Sequence, residues 1–236
     1  MSIETKSVEL RVEDGTTMQA YSACPSGPGR WPGLIVFQEA FGVNSHIRHV
    51  VERFAAEGYV AIAPELFHRT APAGFTCAYD NFPSVIAHMN AVNGAALVQD
   101  VIATWNWLQK EPRVRHDAIA CIGYCMGGRT AFVANTVKPI KAAISYYGGR
   151  TADYLSLTPK LHAPMLFFWG GLDTHIPAEQ IAAIVASLRQ AKKPFTNVVV
   201  SDADHGFFCD ERGSYNKQAA SEAWALTLAF LKNKVG

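Results

Sequence analysis

Along this chain, short unbroken apolar runs alternate with stretches in which apolar residues recur every three or four positions. Gly33-Leu34-Ile35-Val36-Phe37-Gln38, Tyr59 to Ala63, Ala118-Ile119-Ala120-Cys121-Ile122, Lys141 to Tyr147 and Pro164 to Trp169 are of the first kind. They read as strands buried on both faces of a parallel sheet, with Thr196 to Ser201 as the last of the set. Ser45 to Glu57, stopped by Gly58, is of the second kind, as are Asn93 to Gln109, Ala178 to Ala191 and Tyr215 to Lys232; these predict helices. Near the start, Ser7 to Val12 and Met18 to Ala23 flank the turn Glu13-Asp14-Gly15-Thr16 and predict a hairpin. Residues 66–92 have weak periodicity, aromatics and two isolated prolines, Pro72 and Pro83, and read as an excursion facing a substrate. Strands alternating with helices after a hairpin predict an α/β chain with a mostly parallel, doubly wound sheet. With no internal repeat or low-complexity tract, residues 1–236 read as a single domain.

Composition narrows the function classes. Apolar residues make up 49% and charged residues 17%, which suits a soluble globular protein. A net charge of +1, with no basic stripe among aromatics, argues against nucleic acid and anionic membrane as partners. The N-terminal residues lack the apolar core of a signal peptide, and no apolar run approaches membrane-spanning length. Five cysteines, odd in number and without a Cys-x-x-Cys pair, predict reduced thiols and a cytoplasmic setting.

One strand leads straight into chemistry. Ala118 to Ile122 runs into Gly123-Tyr124-Cys125-Met126-Gly127-Gly128, and a helix-like segment from Arg129 to Asn135 leads out. Strand, Gly-x-Cys-x-Gly, helix is the pattern of a nucleophile elbow, with cysteine where serine is commoner. Such a turn holds its nucleophile in a strained backbone conformation, and a Cβ at 123 or 127 would collide with neighbouring backbone. The sulfur is aimed at a helix N-terminus, whose partial positive charge favours a thiolate. The alternative is a glycine-rich turn around an ordinary buried cysteine.

Ligands of doubly wound sheets bind beyond the C-terminal ends of the strands. Glu39, Cys125, Asp173 and His205 all fall on that rim in this reading, each just after a different predicted strand. His205 can take the Cys125 proton and return it to a leaving group, while Asp173 fixes its tautomer. Asp173 follows the turn Gly170-Gly171; the alternative is a solvated turn aspartate. Asp202 and Asp204 are rival acids, but so close in sequence to His205 they are expected to shape its loop. Glu39 ends a strand of pure Leu-Ile-Val-Phe, where a carboxylate is costly unless paired. It reads either as partner of an arginine or as a group beside the thiol that can take its proton. The amide of Ala40 would then join that of Met126 in an oxyanion hole. His46 and His49, spaced as helical neighbours, read as a solvated helix face rather than metal ligands. His175 could line the pocket, and His68 and His88 could touch substrate. Cys121 is expected in the core, and Cys24, Cys77 and Cys209 have no visible base.

Taken together, Gln38-Glu39-Ala40-Phe41-Gly42-Val43-Asn44, Gly123-Tyr124-Cys125-Met126-Gly127-Gly128, Tyr146-Tyr147-Gly148, Gly170-x-x-Asp173 and His205-Gly206-Phe207 resemble the dienelactone hydrolase (carboxymethylenebutenolidase) family. The similarity spans Ser7 to Phe230 in the expected order. It implies an α/β-hydrolase fold, a Cys125-His205-Asp173 triad, Glu39 as partner of the thiol, and hydrolysis of a lactone or ester through a thioester. Phe41, Tyr147 and Phe207 match positions that line the family's pocket. One departure stands out. The founding enzymes grip a substrate carboxylate with two arginines, one in the excursion and one four residues past the histidine. Here the second position is Cys209, and Thr76 to Asn93 contains no arginine. Arg69, Arg150 and Arg212 are the remaining arginines that folding could bring to the rim.

The leading expectation is a cofactor-independent cysteine hydrolase with no metal, acting on a small ester or lactone as a monomer or small homo-oligomer. A redox-sensing thiol protein is a second reading, weakened by the lack of a resolving cysteine. A third is a ligand-binding protein that kept the fold and lost turnover.

Overall fold

The computed structural model describes residues 1–236, which gather into two compact units, Met1–Ala120 and Cys121–Gly236. In the first unit, β1 (Ile3–Arg11) and β2 (Thr17–Pro25) form the antiparallel hairpin, from Ile3 opposite Pro25 to Arg11 opposite Thr17. β3 (Trp31–Phe37) follows, then helix α1 (Ser45–Ala56), β4 (Val60–Pro64), α2 (Ile86–Ala91) and α3 (Gly94–Lys110). β2 pairs antiparallel with β4, and β4 pairs parallel with β3. Every residue of β4 is buried, as its unbroken apolar run requires.

The residues of α1 show why it forms. Asn44 caps it, its side-chain oxygen accepting from Ile47 N at 3.2 Å, a bond worth about 1 kcal/mol. Ile47, Val50, Val51 and Phe54 then recur on one buried face, each contributing about 1.5–3 kcal/mol by leaving water. His46 shares that face and is 2% exposed, whereas His49 is exposed. The expected solvated pair is therefore wrong for His46: the position before Ile47 already turns inward, so the two imidazoles point to different environments.

The excursion is ordered around the loop that follows β3. Gly42, at φ +82°, bridges to Thr76, and Cys77 N donates to Phe41 O at 3.1 Å. A Cβ on Gly42 would strike the Phe75 carbonyl, so the close approach requires glycine. Phe41, with Ala40 and Val85, is packed by Phe75, Cys77, Tyr79 and Met89. A short 3₁₀ segment, Phe82–Val85, runs directly into α2. Gln38, fully buried, ties the end of β3 to the start of the excursion by accepting from Leu66 N at 3.1 Å.

β5 (Val114–Tyr124) leads from the first unit into the second. There α4 (Met126–Val137), β6 (Ala143–Tyr146), β7 (Met165–Gly170), α5 (Ala178–Gln190), β8 (Phe195–Val200) and α6 (Lys217–Val235) follow. β5, β6, β7 and β8 are neighbours in that order, all parallel, with Cys121 opposite Ala143, Ala143 opposite Met165 and Met165 opposite Phe195. The sequence pattern did not separate out a ten-residue 3₁₀ segment, Thr151–Lys160, after β6. No helix is long and apolar enough to cross a membrane.

Candidate active site

The second unit brings three of the expected side chains together. Cys125 lies between β5 and α4 at φ +53°, ψ −116°, the strained conformation expected of an elbow nucleophile. The turn closes through Gly128 N to Cys125 O at 2.9 Å and Cys125 N to Tyr146 O at 3.0 Å. A Cβ on Gly123 would run into the Gly127 carbonyl. One on Gly128 would come within 2.7 Å of Gly148 Cα and Ser145 Oγ. Both glycines are thus required by backbone proximity, the first by the turn and the second by the packing of α4 on β6.

Asp173 and His205 reach the same place from the ends of β7 and β8. Gly171 N donates to Val200 O at 2.7 Å and Leu172 N to Ala203 O at 2.9 Å, which locks the two post-strand turns together. A Cβ on Gly170 would come within 2.6 Å of Ala203 O, so this contact also needs a bare α-carbon. Asp173 Oδ2 sits 2.7 Å from His205 Nδ1, with the two side chains 1% and 10% exposed. The other carboxylate oxygen accepts from His175 N at 2.8 Å. Burial raises the Asp173 carboxyl, but the hydrogen bond and charge of His205 outweigh it and hold the pKa below the usual value. Burial pulls His205 down, and the charge of Cys125, the bond to Asp173 and the hydrogen bond to Cys125 reverse this, pushing it up to about 10.

The carboxylate that meets the His205 ring is that of Asp173, not that of Asp204 or Asp202. Asp204 Oδ1 accepts from the backbone N of His205 at 2.6 Å, shaping the loop as its sequence position implied. Asp202 is exposed, and its carbonyl accepts from Asn216 Nδ2 at 3.2 Å. Rings enclose the imidazole: Tyr147 lies 5.1 Å and His175 5.3 Å from it by centroid, the latter edge-to-face. Phe207 is fully buried and packs on Tyr147 at 5.4 Å. Cys209 is buried in the turn that follows, its N donating to Gly206 O at 2.9 Å.

Glu39, Ala40 and Phe41 belong to the first unit, just past the C-terminal end of β3, and all three are buried. Of the arginines considered, Arg69 is committed within that unit. Its terminal nitrogens hold both oxygens of buried Asp100 at 2.9 and 2.8 Å, and its Nε holds Asp14 at 2.7 Å. His68 Nε2 lies 3.1 Å from the same Asp100, so neither residue is set for substrate. Arg150 is largely exposed and paired with Asp153 at 2.9 Å. Arg212 lies with its guanidinium against Gly206, the residue after His205.

One residue was passed over. Arg129 is 5% exposed, one helical turn past Cys125, and burial lowers its pKa while its charge interacts with Tyr154 and Cys125. The signal was available: the single charged residue of Met126–Val137, four positions after Cys125.

Comparison with known proteins identifies the family. The family model described as "Dienelactone hydrolase family" matches residues 18–235. A Synechocystis protein named "Putative carboxymethylenebutenolidase" is 35% identical over 235 residues, covering 95% of each chain. An Escherichia coli K12 protein of the same name is 34% identical, covering 94% of this chain and 84% of that one. Among solved structures, a Klebsiella pneumoniae protein titled "Putative Dienelactone Hydrolase" superposes with a TM-score of 0.90 at 30% identity, over 98% of this chain and 99% of the other. An Anabaena variabilis dienelactone hydrolase shares the fold, with a TM-score of 0.73 at 18% identity over the whole of both chains. On a family match across nearly its full length and relatives at 34–35% identity, this α/β chain belongs to the dienelactone hydrolase family of ester and lactone hydrolases.

Proposed function

We infer that this protein hydrolyses small, uncharged carboxylic esters or lactones with Cys125 as nucleophile, His205 as acid–base and Asp173 as its orienting acid. The observation that carries this reading is the 2.7 Å contact of Asp173 Oδ2 with His205 Nδ1 in a buried setting beside the elbow cysteine. With Nδ1 held by Asp173, Nε2 is the nitrogen left to exchange a proton with sulfur. The cysteine proton moves to Nε2, and the thiolate adds to the substrate carbonyl, whose π electrons move to oxygen. The amide of Met126, first in α4, supports that oxyanion with the positive end of the helix. Collapse restores the carbonyl and breaks the C–O bond; the leaving alkoxide takes the proton from Nε2, leaving a thioester. Water then adds, giving its proton to His205, and the second collapse expels the thiolate and releases the acid. No redox step or co-reactant other than water enters.

An uncharged substrate is supported by the cysteine at 209 and by the commitment of two of the candidate arginines. Bidentate arginine pairing is what selects a carboxylate, and Cys209 cannot supply it. Arg69 is consumed by Asp14 and Asp100, and Arg150 faces solvent with Asp153. Each charge-assisted bond forgone is worth about 1.5–3 kcal/mol, roughly one to two decades in kcat/KM. Five free cysteines support a reducing, cytoplasmic location.

The test is burst kinetics with a panel of aryl esters and lactones, including one lactone as the free carboxylate and as its methyl ester. Turnover with a burst, lost in Cys125→Ala and faster on the methyl ester, is the expected result. Stoichiometric thiol consumption without turnover would replace hydrolysis by thiol redox chemistry. A clear preference for the carboxylate would refute the substrate class, and Arg129→Ala and Arg212→Ala would then locate its partner.

A further inference from the structure

β8 is the last strand of its unit and has a neighbour on one side only, β7. The carbonyls of Pro194 and Val200 accept from Met165 N at 3.1 Å and Gly171 N at 2.7 Å, so the even-numbered residues turn their backbone groups toward β7. Successive residues of a strand face opposite sides, which leaves the N–H and C=O of Phe195, Asn197 and Val199 directed away from the sheet.

Such an edge is a template for another strand, and folded proteins guard it with charge, proline or a bulge. β1, which pairs only with β2, is guarded: Glu4, Lys6, Glu9 and Arg11 are all exposed along it. β8 reads Phe-Thr-Asn-Val-Val-Val, with no charge, no proline and an unbroken register from Phe195 to Val200. Its Val199 is 52% exposed. Three successive valines of high β propensity on an open edge is the reverse of ordinary protection.

The flanks of the strand say what fits there. Lys192 and Lys193 precede it, and Asp202 and Asp204 follow it. Lys193 is occupied by the Leu161 carbonyl at 2.8 Å, while Lys192, Asp202 and Asp204 are exposed. A strand positive at its start and negative at its end is complementary to itself when antiparallel, and repels itself when parallel.

We propose that β8 pairs antiparallel with β8 of a second copy about a two-fold axis at Asn197, making the protein a homodimer. A two-fold contact requires that if one residue faces another, the second also faces the first. Centring on Asn197 sets Phe195 opposite Val199 of the second copy and Asn197 opposite itself. Every outward N–H and C=O then has a partner. The side chains fit the same register: aromatic–valine pairs form on one face, and Thr196 meets Val198 of the second copy on the other. Asn197 Oδ1 accepts from Trp169 Nε1 at 2.7 Å, which fixes the side chain at the centre of the pairing. Beyond the strand, the same two-fold brings the end that carries Lys192 to the end that carries Asp202.

Sedimentation velocity across a dilution series tests this on the full chain. The wild type should run at twice 25.7 kDa when concentrated, and Val199→Lys, which guards the edge, should fall to 25.7 kDa with unchanged circular dichroism. Lys192→Glu should also weaken the dimer, and Lys192→Glu combined with Asp202→Lys should restore it, which decides the matter if Val199→Lys fails to fold. A wild type of 25.7 kDa at every concentration overturns the proposal. So does a dimer whose mass survives both folded single variants, because its interface would then lie elsewhere.

Discussion

Replacing Asp173 by asparagine removes one charge from a buried pair and keeps its shape. Two losses follow from the 2.7 Å contact with His205 Nδ1. A charge-assisted hydrogen bond worth about 1.5–3 kcal/mol becomes at best a neutral one. The asparagine amide can also donate where Nδ1–H must be accepted, turning the imidazole to the tautomer whose Nε2 carries hydrogen and cannot take the cysteine proton. The serine-protease precedent for that error is about 10⁴-fold in kcat, or roughly 5.4 kcal/mol at 1.36 kcal/mol per decade. No neighbour can substitute, because Asp204 is bound to the His205 backbone N–H at 2.6 Å and Asp202 is exposed. The expected fall is therefore about 10³–10⁴-fold in steady-state hydrolysis of an aryl ester, with little change in KM. A titration signature accompanies it. His205 stands near 10 partly through Asp173, so Asp173→Asn should lower its pKa, read from imidazole NMR shifts. The sign for stability follows. A raised histidine pKa adds stability that is complete below about 6.5 and lost as pH rises toward about 10. The depressed Asp173 adds stability above its unfolded pKa that is lost as pH falls through the folded one. The wild-type advantage in Tm should thus peak between those limits and shrink at both ends. A variant within tenfold of wild-type rate, or an unmoved His205 pKa, would remove Asp173 from the mechanism.

Other perturbations separate the remaining roles. Iodoacetamide should label Cys125 well before the rest, read by mass spectrometry. Cys24, Cys121 and Cys209 are buried, burial pushes the thiols of Cys24 and Cys121 up, and partly exposed Cys77 lies 3.0 Å from Ser84 Oγ. Equal labelling of Cys77 would refute selective activation. His205→Ala should abolish turnover, whereas Glu39→Gln should be milder if Glu39 only tunes the thiol; equal losses in the same ester assay would make Glu39 a second essential base. Gly128→Ala forces a Cβ to 2.7 Å from Gly148 Cα and 2.9 Å from Tyr146 O, an overpacking that costs about 1–3 kcal/mol. At about 2–4 °C per kcal/mol its Tm should drop by several degrees, and an unchanged melt would show that α4 can shift freely.

The order of elements, and the meeting of Cys125, Asp173 and His205 at one place, were legible from the residues alone. Strands buried on both faces must be apolar throughout, so β3, β4, β6 and β7 were legible as runs, and observed ends differ by one or two residues. The elbow was legible because its turn admits only small residues, and Asp173 and His205 because a rim position follows each strand. β5 was read short: Val114-Arg115-His116-Asp117 is polar enough to hide a strand that continues the apolar core. Which charges meet is fixed by the folded chain. Arg69 joins Asp14 and Asp100 across separations of 55 and 31 positions, and Asp204 turns to backbone rather than to imidazole. His46 is buried although its local pattern suits solvent, and Arg129 is buried within electrostatic reach of Cys125. Periodicity records which face of an element is dry, a local property. The partner of a charge depends on which distant segment the fold lays against it, and no spacing along the chain encodes that.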